Sequence, residues 1–408
     1  IDPSRIQDTQ VFIWLMMAAL LAGAVWLNLA TFLGAPVSTT HSIVGGVLGA
    51  GIAAGGLDIA NWGKMGAIAA SWVISPVLGG VIAASFLYLM KHTIFHKTDM
   101  LGSAKKTIPI LLAIMTCAFT TYLCLKGLKK VWTMDFQTAF LIGVAMSIPV
   151  LIFSRKAITR ASETITNDRE GVGDLFTIPL ICSAALLSFA HGANDVANAI
   201  GPLSAINDAV LTSGISTTAS IPFWVMTIGA IGITIGLALY GPKLIRTVGS
   251  EITELDKPRA FCTAMAASIT VIIASQLGLP VSSTHIAVGG IFGVGFLREY
   301  LKLNYLWQLH VYSDQLESDD RIAITRLLKD HESATIDEIN RMFKKLKKDR
   351  KKLNLKRKEL SRVKKIYKVE IVKRSALYKI AAAWLITVPA SATLAAIFYF
   401  MIRGYFIF

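Results

Sequence analysis

Charge is scarce in this sequence. Only 16% of its 408 residues are Asp, Glu, Lys or Arg, while 54% are hydrophobic and the mean hydropathy is +0.57. Soluble domains carry about a quarter charged residues, so this balance excludes a water-soluble enzyme or binding module and points to an integral membrane protein. The alternating polarity of a membrane β-barrel is also missing. The spans are therefore helical, with every backbone group bonded within its own segment. Cysteine is nearly absent: Cys117, Cys124, Cys182 and Cys262 each sit inside an apolar run. That excludes a disulfide framework and a thiolate metal cluster, and leaves four small core residues. No signal peptide is present, and the chain opens on Ile1 rather than Met, so upstream sequence is expected.

What is present is a series of apolar windows of bilayer-spanning length, at residues 11–33, 65–90, 108–125, 136–153, 176–206, 223–240, 260–277 and 376–402. The expected fold is an all-α integral membrane protein. A net charge of +15 would suit nucleic-acid binding if it were spread over a surface, but residues 298–379 alone hold 23 Lys and Arg against 12 Asp and Glu. Basic charge gathered in loops is what the cytoplasmic side of a membrane protein shows, so nucleic acid is excluded as a partner and the bilayer is the expected one. With the large basic loop inside, loops 91–106, 154–174, 241–259 and 298–379 hold 35 basic residues, and the opposite segments hold six. That tally favours ten crossings, with an external C-terminus. Leu346, Leu353, Leu360 and Tyr367 recur every seven residues within the basic loop, and predict a solvated amphipathic helix pair near the anionic inner leaflet, with a regulatory or lipid-binding role as the alternative.

Residues 191–206 read His-Gly-Ala-Asn-Asp-Val-Ala-Asn-Ala-Ile-Gly-Pro-Leu-Ser-Ala-Ile at the end of an apolar run. An Asp inside a membrane segment costs about 2.5 to 3.5 kcal/mol on insertion scales, and marks a functional site facing the protein interior. On a helix Asn194 and Asn198 share a face with Asp195 beside them, which is more polarity than packing needs. Gly192 and the pair Gly201 and Pro202 bracket the cluster, so a helix break is expected there, its freed carbonyls turned toward a cation.

A second pattern is a duplication. Residues 34–51 and 278–295 are identical at eleven of 18 positions, and each contains Pro-Val-Ser-(Ser/Thr)-Thr-His followed by glycines. Trp72 with Pro76, and Trp384 with Pro389, follow the two copies. With crossing segments the repeats are inverted. Each proline precedes hydroxyls that open a short glycine-rich helix, where Ser or Thr caps the free amides. A helix N-terminus carries about half a positive charge and free donors. Two such ends meeting at the midplane would hold a tetrahedral oxyanion on Ser38, Thr39, Thr40, Ser282, Ser283 and Thr284. No Lys or Arg lies in these segments, so cations at Asn194, Asp195 and Asn198 would balance the charge through oxygen ligands. The glycines allow close helix approach. His41 and His285 are anion donors, proton-coupling groups or supports for the break, and His191 is equally open. A Ser-His hydrolase is rejected, since Ser-x-x-His within one turn is a poor attack geometry with no orienting acid.

Gly-Ala-Asn-Asp-Val-Ala-Asn-Ala-Ile-Gly-Pro-Leu at 192–203, Pro-Val-Ser-Thr-Thr-His-Ser-Ile-Val-Gly at 36–45, Gly-Pro-Lys-Leu-Ile-Arg-Thr-Val-Gly at 241–249, Ile-Thr-Glu-Leu at 252–255 and Pro-Val-Ser-Ser-Thr-His at 280–285 together resemble the inorganic phosphate transporter (PiT) family. The likeness spans the chain apart from residues 300–375. It implies an inverted-repeat secondary transporter with discontinuous helices, twelve in all, that carries phosphate with a cation. The family has an Asn-Asp motif in both halves and only the second is here, so two helices are expected upstream of Ile1. The implied division is residues 1–90 as the rest of the first repeat, 91–174 as a linker with two membrane helices, 175–299 and 376–408 as the second repeat, and 300–375 as a basic cytoplasmic insertion. The motif looks like the sodium-coupled branch. The expectation is a multi-pass cell-membrane symporter with no cofactor beyond transported sodium, and a homodimer as a candidate assembly. Phosphate would bind Ser38, Thr39, Thr40, Ser282, Ser283, Thr284 and Asp195, and sodium would bind Asn194, Asp195 and Asn198. The alternatives are a proton-coupled phosphate carrier, a sulfate or metal-phosphate carrier, or a passive anion channel.

Overall fold

The computed structural model describes residues 1–128, 132–216, 219–251, 255–313 and 371–407, and all regular structure among them is helical. The main helices are α1 (Thr9–Phe32), α2 (Thr39–Gly55), α3 (Trp62–Met90), α4 (Met100–Tyr122), α5 (Phe136–Ala161), α6 (Arg169–Asp174), α7 (Thr177–Thr212), α8 (Phe223–Glu251), α9 (Lys257–Gln276), α10 (Ser283–Ser313) and α11 (Arg374–Ile407). Eight of them, α1, α3, α4, α5, α7, α8, α9 and α11, are long and apolar enough to cross a membrane. Each coincides with one apolar window of the sequence.

Side-chain caps fix where the helices start. At exposed ends the cap is charged or carboxamide: Asp8 accepts from Gln10 N, Asn61 from Lys64 N, Asp99 from Gly102 N, Asp135 from Thr138 N and Asp168 from Gly171 N. At the buried start of α2 the cap is Ser38, accepting from His41 N at 3.2 Å, and Ser282 accepts from His285 N at the same distance. A buried carboxylate would lose its hydration there, so a neutral hydroxyl does the same job at lower cost.

Residue pairs give the helix directions. Gly23 packs on Ile43 and Gly46 on Ala19, so α2 runs back along α1. Gly290 packs on Thr263, the same pairing shifted by the repeat, so α10 runs back along α9. Between the halves, Gly45 and Gly49 of α2 lie against Val388 and Ala392 of α11, while Gly289 and Gly293 lie against Pro76 and Gly80 of α3. A Cβ on Gly45 would sit 2.7 Å from the Val388 carbonyl, so only glycine permits this approach. Helix α3 starts just past the end of α2 and reaches its beginning, where Trp72 stacks on His41. It then continues parallel to α10. Hence α2 and α10 lead away from their proline turns in opposite directions: two hairpins enter from opposite faces and meet tip to tip, each clasped by the other repeat's crossing helix.

This geometry corrects the expectation of ten crossings. Thr40 Oγ1 donates to the Val281 carbonyl at 3.1 Å, so the two proline turns touch, whereas inverted turns at opposite membrane surfaces would stand about 30 Å apart. The proline turns are internal tips rather than ends of crossings. The charge tally survives, because a hairpin leaves on the side it entered, as two crossings would. The basic loops do gather: Leu101 N donates to Asn167 Oδ1 at 2.8 Å, Arg169 pairs with Asp256 at 3.3 Å, and Lys257 pairs with Asp174 at 2.7 Å. Segments 91–106, 154–174 and 241–259 therefore share one face. Asp2 N donates to Ile59 O, joining the N-terminal segment to residues 57–64.

The second correction concerns α7. No break occurs at Gly192 or at Gly201 and Pro202: the helix runs unbroken for 36 residues with Pro202 inside it. Proline removes only its own N–H bond, to the carbonyl four residues earlier, and the rest of the ladder holds while α7 packs on α9 and α1. The carbonyl released is that of Asn198, within the polar motif itself.

Packing divides the chain into one unit of Ile1–Gly293 with Arg374–Phe408, and another of Val294–Lys373. The second copy's helix is not short, since α10 continues to Ser313. Leu346, Leu353, Leu360 and Tyr367 lie outside the described residues.

Candidate functional site

The polar motif of α7 faces both hairpin tips. Asp195 is 5% exposed. Its Oδ1 accepts from Asn194 Nδ2 at 2.9 Å and its Oδ2 accepts from Ser283 Oγ at 3.1 Å. Asn194 Nδ2 also donates to the Val281 carbonyl at 3.0 Å. One turn along, Asn198 Nδ2 donates to Thr40 Oγ1 at 2.8 Å, and Thr40 in turn donates to Val281 O. So α7 reaches the second tip through Asn194 and Asp195, and the first through Asn198. Both carboxylate oxygens keep spare lone pairs, and the asparagine carbonyls are acceptors.

His191, left open by its sequence, belongs to this cluster. Its Nδ1 lies 3.0 Å from Asp195 Oδ2, one turn up the helix, and touches Ser283 Oγ. The only sequence signal for it is its i, i+4 spacing from Asp195.

The predicted hydroxyls divide in two. Ser38, Thr40, Ser282 and Ser283 are buried in the tips. Ser38 and Ser282 are occupied as caps, and Thr40 and Ser283 join the α7 network. Thr39 and Thr284 are half-buried and make no side-chain hydrogen bond to α7. Ser42 Oγ donates to Ser38 O, and Ser391 Oγ of α11 donates to Ser42 O at 2.6 Å, which pins the first turn from behind. The serine-histidine spacing is explained without a nucleophile, because Ser38 bonds the backbone of His41 rather than its ring.

The histidine rings form a column with the two tryptophans. Ring centroids are 3.7 Å apart for Trp72 and His41, 4.4 Å for His41 and His285, and 3.6 Å for His285 and Trp384. Neither histidine's ring nitrogens have a partner among the described residues. The role of these tryptophans was not legible beyond their repetition.

Charge at the tips comes from backbone. Helices α2 and α10 each present a first turn here, together worth about one positive charge, against one negative charge from Asp195. An apolar cavity of about 310 Å³ lies nearby, lined by residues such as Met16, Val47, Ile68 and Ala205. It offers nothing to hold an ion, so the tips are the better site. Among the described residues no cluster of three or more His, Cys, Asp or Glu could hold a metal. The arrangement suits reversible binding of small ions by hydroxyls, amides and one carboxylate.

Comparison with known proteins agrees with that chemistry. The phosphate transporter family model matches residues 1–395. A Helicobacter pylori (strain J99) protein provisionally named a phosphate permease is 49% identical over 410 residues, covering 98% of this chain and 77% of its own. One from Pyrococcus furiosus, named in the same way, is 36% identical over 306 residues, covering 74% and 73%. Among solved structures, the sodium-dependent phosphate transporter superposes with a TM-score of 0.75 at 29% identity, covering 97% of this chain and 81% of that one. A multi-pass helical membrane protein with two opposed hairpins and this match along nearly its whole length is a transporter and not an enzyme: the chain belongs to the phosphate transporter family.

Proposed function

We propose that the chain carries inorganic phosphate across the cell membrane together with sodium, by alternating access around the hairpin tips. The observation that supports this most is the buried Asp195, bonded to Ser283 of the second tip within a motif that reaches Thr40 of the first tip through Asn198. Two helix ends offer about one positive charge and Asp195 cancels it, so a bound phosphate leaves the site net negative unless cations enter with it. Asn194, Asp195 and Asn198 supply oxygen ligands suited to a hard monovalent cation. Ser38, Thr39, Thr40, Ser282, Ser283 and Thr284, with the amides of the two first turns, are the phosphate contacts, and Asp195 meets phosphate through the cation. His191 holds Asp195 in place. The large basic loop lies on the cytoplasmic side, as its charge requires. Residues 1–90 belong to the first repeat, 91–174 form a linker, and 175–299 with 376–408 form the second repeat.

Radiolabelled phosphate uptake into proteoliposomes tests this. An inward sodium gradient is expected to stimulate uptake, with excess sulfate failing to compete. Stimulation by a proton gradient alone would move the assignment to proton coupling. Phosphate currents that need no ion gradient would make the protein a channel.

A further inference from the structure

We propose that Trp72 and Trp384 are positioning residues that hold the two proline turns at the substrate site, each acting on the hairpin of the other repeat. The Trp72 indole N–H on α3 donates to the Pro280 carbonyl of the second turn at 3.2 Å, and the Trp384 indole N–H on α11 donates to the Pro36 carbonyl of the first at 3.3 Å. The two bonds are the same bond under the repeat. Each tryptophan also stacks on a histidine of its own repeat, Trp72 on His41 and Trp384 on His285, and the histidines meet edge to face between them.

The consequence is geometric. Pro36 and Pro280 open the turns whose next residues carry the site: Thr40 bonds Val281 O and Asn198, and Ser283 bonds Asp195. The Pro36 and Pro280 carbonyls precede the helix ladders, which begin at the Ser38 and Ser282 carbonyls. The indoles restrain them from the opposite half of the molecule. The four-ring column sets the spacing between tips, because aromatic rings in contact resist approach and separation alike. The histidines, buried with a ring on either side, act as spacers rather than as anion ligands. The two repeats are thus tied crosswise at the point where both touch the transported ions. This assignment rests on the phosphate-symport reading only for its kinetic consequence.

The test uses Trp72→Phe and Trp384→Phe, which keep a ring to stack and lose the N–H, with Trp62→Phe as a control on α3 remote from the tips. Amide exchange of the full chain in detergent is followed over residues 33–42 and 277–286, and phosphate uptake kinetics are measured in proteoliposomes. Trp72→Phe is expected to speed exchange at 277–286 and not at 33–42, and Trp384→Phe the reverse, by about two- to tenfold, the equilibrium equivalent of one hydrogen bond. Each variant should raise the phosphate KM by a similar factor with Vmax nearly unchanged. Faster exchange confined to the variant's own turn, no change in exchange, or a fall in Vmax at constant KM would overturn the proposal. The exchange arm needs no substrate. A wild-type chain that takes up no phosphate would defeat the functional reading, while the crosswise pattern would still decide the latch.

Discussion

The two proline turns are near-copies in sequence and in scaffold, yet they are used differently. Both open a helix with a serine cap, both receive an indole from the other repeat, and both pack glycine on a crossing helix. Against α7 the symmetry fails. The first turn engages through Thr40, the second through Ser283, which is the counterpart of Thr39. The scaffold is dictated by the duplicated residues. The polar network is dictated by a single motif on α7 that reaches two tips from one side, and so meets different positions on each.

The comparison can be broken most strongly at the buried carboxylate of the α7 motif, which bonds the second tip and not the first. Asp195→Asn is expected to leave a folded protein with sodium-stimulated uptake reduced about 30-fold or more, the scale of losing one charge from a buried hydrogen-bonded cluster. Retained uptake at wild-type rates would remove Asp195 from its role. Next come the scaffold glycines: Gly45→Val and Gly289→Val should each lower stability by about 1 to 3 kcal/mol through overpacking, and by similar amounts, measured as thermal unfolding in detergent. A large difference between them would show that the clasps are not equivalent. Ser283→Ala should raise the sodium concentration for half-maximal uptake about tenfold, as expected for a lost hydrogen bond to a charged group. Thr39→Ala, at the matching position, should do so by less than about threefold. Equal effects would restore the symmetry that the hydrogen bonds deny.

The smallest effect separates outer caps from inner ones. The Thr138 hydroxyl and amide hold the Asp135 carboxyl below its usual range, and the Gly171 amide with the Thr166 hydroxyl does the same for Asp168. A depressed carboxyl contributes stability above its unfolded value and loses it as pH falls through the folded one, so acid below about pH 4 should loosen the starts of α5 and α6. The first tip is capped by Ser38 and meets α7 through the neutral Asn198. Amide exchange near 136–139 and 169–172 should rise on acidification while that at 39–42 stays level.

The sequence revealed much of this plan, because membrane insertion imposes long apolar runs and the duplication repeats at a fixed interval. The cluster at Asn194, Asp195 and Asn198 was legible because polar side chains in an apolar run need an interior partner. The hairpins were not. A helix of 24 or 20 residues, as in α1 and α9, is long enough to cross, and it takes the contacts of Thr40 with Val281 and His41 with His285 to show that each ends at an internal turn. The intact α7 was also hidden, since glycine and proline permit a break without compelling one, and packing on α9 and α1 decides. The partners of Trp72 and Trp384 lie 208 and 348 residues away in the chain, beyond any local periodicity.

Reciprocal binding tests the central claim most directly. By linkage, a cation held at Asp195 that balances phosphate must raise phosphate affinity by the factor that phosphate raises cation affinity. Phosphate titrated into the purified protein by calorimetry, at rising sodium concentration with choline as the replacement, should bind more tightly with sodium in the wild type and show no sodium dependence in Asp195→Asn. The same sodium dependence in both proteins would contradict the account.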